Sequence, residues 1–127
     1  MSIKIVKSEK APAPIGPYSQ AIEANGFIFT SGQIAIDPQN GTLLNSGVED
    51  QAKLVLENLK AVLEAGGSGL NKVIKTTIYL KDMNEFTKVN SIYSDYFGSS
   101  LPARSTVEIS RLPKDVQIEV DCIAVKE

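Results

Sequence analysis

The sequence predicts an α+β domain in which a single sheet carries two helices on one face, and three observations lead there. Segments with recognisable periodicity follow the order β-β-β-α-β-α-β-β. Two of them repeat apolar residues at three- and four-residue spacing, whereas the others alternate and are bounded by turn residues. The strands also carry apolar residues on both parities, more than two helices can cover from one side.

Each element has its own justification. Residues 2–6, SIKIV, make a short first strand. The stretch APAPIGPYSQ then carries three prolines and a glycine and reads as an extended loop of defined shape. SQAIEA and FIFTSG flank Asn25-Gly26, a strong hairpin signal because both central residues of a type I′ turn need positive φ. DPQNGT supplies a second turn. Over residues 48–65, Ala52, Val55, Leu56, Leu59, Val62 and Leu63 fall on one helical stripe, which Gly66-Gly67 ends. KVIKTTIYL alternates as a strand with Ile74, Thr76, Ile78 and Leu80 on one face and Val73 and Tyr79 on the other. Asp82 and Glu85 resemble a capping box, opening a helix that buries Phe86, Val89, Tyr93 and Phe97. A final hairpin, residues 104–110 and 117–125, closes the chain.

Bulk properties narrow the function. The chain of 127 residues reads as one domain, 1–127, long enough to bury roughly two-thirds of its extended surface. No run of about 18 apolar residues suggests a membrane span, and the N-terminal stretch lacks the apolar core of a signal peptide. One cysteine allows no intrachain disulfide, so a cytoplasmic location is expected. Net charge is −2 with scattered basic residues, which makes nucleic acid an unexpected partner. Histidine is absent, which removes Ser-His and Cys-His nucleophile pairs and histidine metal sites; no metal is expected.

One carboxylate stands out. Glu119 lies between Ile118 and Val120 inside an apolar strand, and the preceding strand begins with Arg104. Strand parity puts Glu119 on the face opposite Ile118, Val120 and Cys122. Val107 and Ile109 define the core face of the preceding strand, which puts Arg104, Thr106 and Glu108 on the second face with Glu119. With no further element to cover that face, a second copy of the chain is the economical cover. Two readings stay open on parity alone: an ion pair facing solvent, or a site in which a rigid guanidinium fork holds a carboxylate and a half-buried glutamate moves protons. Cys122 has core parity. Tyr18 either packs or serves a site; Gly32 either bends the strand or admits a ligand to the backbone beside Ser31; Asn90 sits on a helix surface. GGSG at 66–69 lacks the lysine of a phosphate loop.

IGPYSQA, FTSGQI, VIKTTIYLKDMNEF and PARSTVEISRLPKDVQIEVDCIAV, in that order and spacing, resemble the YjgF/RidA family of reactive-intermediate deaminases over essentially the whole chain. The resemblance implies a chorismate-mutase-like α+β fold, a homotrimer and sites between subunits. It implies hydrolysis of 2-imino acids such as 2-iminopropanoate and 2-iminobutanoate to 2-oxo acids and ammonia, without a cofactor. Such imines descend from enamines released by pyridoxal-phosphate dehydratases, a functional link the resemblance also carries. It makes Arg104 the clamp for the substrate carboxylate and Glu119 the group that orients water or exchanges its proton. Tyr18, Ser31 and Asn90 would line the cleft, while backbone groups of Gly32 and Thr106 hold the ligand. Many family members carry cysteine where this chain has Thr106, so thiol regulation is not implied here. Two alternatives remain: a non-catalytic trimer that binds small carboxylates or acts as a chaperone, and an RNA-cleaving or translation-inhibiting protein.

Overall fold

The computed structural model describes residues 2–126, with six strands in one sheet and two helices. Strands β1 (Ile3–Val6), β2 (Ala21–Ala24) and β3 (Phe27–Thr30) form an antiparallel meander, and the β2–β3 turn has Asn25 at φ 53° and Gly26 at φ 83°. Helix α1 spans Val48–Ala65 and presents the expected stripe, with Val55, Leu59, Val62 and Leu63 fully buried. Burying each such side chain contributes about 1.5–3 kcal/mol. Gly67, at φ 83°, closes α1: its amide donates to Glu64 O and that of Ser68 to Leu63 O, the paired bonds of a Schellman end. Strand β4 (Val73–Leu80) follows, and then Asp82 accepts a hydrogen bond from the Asn84 amide and caps a short 3₁₀ turn that leads into α2 (Phe86–Phe97). Strands β5 (Ala103–Glu108) and β6 (Ile118–Val125) complete the sheet, in the order β1-β2-β3-β6-β4-β5. Among the described residues no helix is long and apolar enough to cross a membrane.

The expected final hairpin does not exist. β5 and β6 lie on opposite sides of β4, β5 parallel to it and β6 antiparallel. The reason is the helix between β4 and β5. A chain that leaves the end of β4, runs back as α2 and re-enters the sheet must run parallel to β4, which occupies one of its edges. β6 then takes the other edge, and residues 109–117, with a 3₁₀ turn and left-handed backbone at Lys114 and Asp115, carry the chain past the end of β4.

Two parity expectations fall as well. Register pairs Thr76 with Arg104, Ile78 with Thr106 and Leu80 with Glu108. Thr76, Ile78 and Leu80 are fully buried beneath the helices, so Arg104, Thr106 and Glu108 lie on the helix side and Val107 on the open face. Within β4, the register shifts between Val73 and Lys75, so Val73 joins the core and Ile74, expected to share a face with Thr76, is exposed.

The open face carries Ile3 and Ile5, each 68% exposed, together with Phe29, Val107, Tyr79, Ile123 and Val125. That face is apolar along β1–β3, carries Lys75, Thr77, Glu119 and Asp121 on β4 and β6, and is uncovered in the single chain, whereas the helix face is the packed core.

Candidate functional site

The site begins with a bulge. Phe29 pairs with Ile123 and Gln33 bridges Val120, so residues 30–32 stand opposite only residues 121 and 122. The Thr30 hydroxyl fills the gap, accepting from the Cys122 amide at 2.9 Å. The displaced backbone at Ser31 and Gly32 swings across Glu119. A Cβ on Gly32 would overlap the Glu119 carboxylate, which therefore needs glycine at this position. The Ser31 hydroxyl donates to Ser19 O at 2.5 Å and ties the bulge to the proline-rich loop.

Around this point lies a cleft of about 370 Å³, lined by Pro12, Ile15 and Tyr18 of the loop, by Ser31, Gly32 and Ile34, and by Glu119. Glu119 is half-buried. Burial raises its carboxyl pKa above the usual range, and the neighbouring charge of Asp121 raises it further. Burial likewise raises Asp121, against a hydrogen bond from the Tyr79 hydroxyl at 3.1 Å and the charge of Lys75. Cys122 is core, its thiol pushed up to about 12 by burial.

Arg104 is elsewhere. Its guanidinium lies over α2, with Nη1 donating to Asn90 Oδ1 at 2.8 Å and the carbon centre 4.8 Å from the Tyr93 ring centroid and 5.3 Å from that of Phe86. Tyr93 is fixed in turn by its hydroxyl, 2.8 Å from Thr76 Oγ1. This second cleft, about 460 Å³, is lined by Asn90, Tyr93, Ser94, Leu101, Pro102 and Arg104 among others. The guanidinium is exposed, so most of its donors are open to an anion.

The structure therefore brings Tyr18, Ser31, Gly32 and Glu119 together on one side and Arg104 and Asn90 together on the other. The expectation that Arg104 shares the face of Glu119 is overturned: parallel pairing of β5 with β4 turns Arg104 to the helix side, while Glu119, paired with Tyr79, faces the open side. Thr106 lines neither cleft. Its Oγ1 is the one buried side-chain oxygen among the described residues that has no hydrogen-bond partner. Sequence reasoning passed over Phe86 and Tyr93 as supports for Arg104, having read both as core. It also passed over Asp121, although Asp121 shares the parity of Glu119 and was legible as its electrostatic neighbour.

The single chain thus carries two separated half-clefts, one presenting a cation and the other a half-buried carboxylate. A profile of the Endoribonuclease L-PSP family matches residues 8–126, and the chain belongs to this family, also called YjgF/RidA. It is 58% identical over 124 residues to a RutC family protein of Pyrococcus horikoshii, covering 98% of each chain. It is 46% identical over 123 residues to the 2-iminobutanoate/2-iminopropanoate deaminase of Mus musculus, covering 97% of this chain and 91% of that protein. Among solved structures, Escherichia coli TdcF with bound serine superposes with a TM-score of 0.92 at 42% identity, covering 98% of this chain and 99% of that one.

Proposed function

We propose that this chain hydrolyses 2-imino acids, such as 2-iminopropanoate and 2-iminobutanoate, to 2-oxo acids and ammonia, in clefts completed between copies of a homotrimer. Glu119 carries the reading: a half-buried carboxylate with a raised pKa, seated on a glycine in an apolar-walled cleft, is poised for proton transfer at an attacking water. Arg104, from the helix face of a neighbouring copy, clamps the substrate carboxylate with its open donors, and Asn90 and the two rings hold the guanidinium in place. Tyr18 and Ser31 shape the wall, backbone at Gly32 holds the ligand, and the backbone of Thr106, on edge strand β5 and outside both half-clefts of the single chain, meets it from the neighbouring copy.

The chemistry needs little more. The water oxygen adds to the carbon of the protonated imine while one water proton passes to Glu119, giving the neutral carbinolamine. Its nitrogen takes that proton back from Glu119, the C–N bond breaks to release ammonia, and the remaining hydroxyl proton passes to the freed Glu119 carboxylate and on to solvent, leaving the C=O of the oxo acid. An imine is already electrophilic, so positioning and one proton shuttle suffice. Substrate would come from a pyridoxal-phosphate dehydratase acting on serine or threonine, whose enamine product tautomerises to the imine.

A second reading draws support from the serine-bound relative: a trimer that binds small carboxylates without turning them over. Coupling a serine or threonine dehydratase to the purified protein, with free imine trapped by semicarbazide, separates the two. Faster oxo-acid release, lost in Arg104→Ala, is expected. No acceleration with any imino acid leaves only the binding module.

A further inference from the structure

The segment over the Glu119 cleft has almost no structure of its own. Residues 9–19 form neither helix nor strand, and their prolines lack amide donors, so the loop cannot knit itself together by a ladder. Yet it supplies Pro12, Ala13, Ile15 and Tyr18 to the cleft wall. Its outer side chains are free: Ile15 is 64% exposed. Something must hold it in position, and one side chain does most of this.

Gln20 follows the loop and is 3% exposed. Its Oε1 accepts from the Ser8 amide at 2.6 Å, before the loop begins. Its Nε2 faces three carbonyl oxygens: Pro12 at 2.9 Å, Ser8 at 3.0 Å and Ala11 at 3.4 Å. A single primary amide thus joins both ends of the loop, using its acceptor on one strand of chain and sharing its two N–H donors among three carbonyls. Buried Ala11 packs beside it. The backbone of Gln20 adds a tether on the other side, its carbonyl accepting from the Ser31 amide at 2.9 Å. The same residue that closes the loop therefore joins it to the bulge beneath Glu119.

We propose that Gln20 is the positioning residue that latches the proline-rich loop over the Glu119 half of the cleft, keeping Tyr18 and Ile15 where a ligand meets them. The inference rests on the proposed function for its catalytic consequence and on geometry alone for the latch. With the latch open, only the fraction of molecules with the loop in place is competent to bind, and apparent affinity falls by that fraction. A chemical residue would instead lower kcat.

The test is Gln20→Met, which keeps length and apolar bulk but removes every side-chain hydrogen bond. KM is expected to rise at least about tenfold with kcat within about threefold of wild type. Amide hydrogen exchange is expected to quicken through residues 9–19 while α1 and β4 keep their protection. A loop that exchanges as in wild type, or a fall confined to kcat, overturns the proposal. Should Gln20→Met fail to fold, the wild-type chain still decides. The Ser8 amide, outside every strand, must exchange at least about a hundredfold more slowly than a random coil, and a Ser8 amide at the random-coil rate overturns the latch. Exchange does not involve turnover. A wild-type chain inactive toward every imino acid therefore sinks the proposed function and leaves the latch to be decided by exchange.

Discussion

At the scale of single residues, the carboxylate seated on Gly32 sets function against stability. The Glu119 pKa is raised in the folded chain, first by burial and then by the charge of Asp121. The folded state therefore binds this proton more tightly than the unfolded state does. Stability linked to the group is full below its unfolded pKa and is lost as pH rises through the folded value. Glu119→Gln removes the penalised charge, so it should raise the melting temperature at pH 7 while imine hydrolysis falls by about a hundredfold or more. Loss of both stability and rate would assign Glu119 a structural role. Asp121→Asn removes the nearest negative charge from Glu119, so the Glu119 pKa drops and the acid limb of kcat/KM moves to lower pH. An unmoved limb would mean that another group controls it. Gly32→Ala places a methyl group where the carboxylate lies and should lower kcat/KM at least about tenfold by displacing a group whose position must hold to within an ångström.

At the scale of elements, what could be read from the sequence depended on whether a signal was local. Helix α1 has the bounds its apolar stripe and terminal glycines implied, and the Asn25-Gly26 hairpin forms because its turn chemistry acts over adjacent residues. Strand partners are not local. Nothing in residues 104–125 says that β4 will come between β5 and β6, and a pair of strands with turn residues between them looks like a hairpin whether or not it is one. The parity of Arg104 fails for a separate reason: Val107 and Ile109 look like a core pair in the sequence, but Val107 faces the open side. The extra residue in β4 that exposes Ile74 was similarly invisible, because alternation continues through it in the sequence. Site residues fared better as identities than as neighbours. Glu119 and Arg104 were each conspicuous, but their separation came from topology, and Gln20 looked like an ordinary polar residue until its burial gave it four partners. Helix α2 offers a check at this scale. Tyr93→Leu removes the ring under Arg104, so affinity for a small carboxylate should weaken by roughly two- to fivefold, the worth of an exposed cation–π contact. It also strands the Thr76 hydroxyl, costing about 1–3 kcal/mol in denaturant unfolding. Unchanged affinity would mean that Asn90 and Phe86 hold the guanidinium without it.

At the scale of the whole molecule, the proposed function joins the two half-clefts across copies of the chain. Arg104→Ala and Glu119→Gln should each be inactive alone. Mixed, dissociated and reassembled, they should recover activity, because an interface joining the intact Glu119 of one copy to the intact Arg104 of another rebuilds a complete cleft. Random assortment gives about a quarter of the sites. Failure to recover any activity, with mixed trimers demonstrated by mass, would place both residues of a site in one chain. The uncovered apolar face makes the complementary point. Phe29→Lys puts a charge in the middle of that face and should shift the protein to monomers in sedimentation, with loss of turnover although neither half-cleft is altered.

The placement of Arg104 and Glu119 on opposite sides of one sheet has a kinetic consequence. On the proposed function, a newly made chain that is folded but solitary holds every group of the chemistry and would still do none of it. Turnover then depends on encounter: below the assembly constant, rate should rise more steeply than protein concentration, and specific activity should fall on dilution. Synthesis level becomes a threshold, so a small rise in expression brings a disproportionate rise in catalysis.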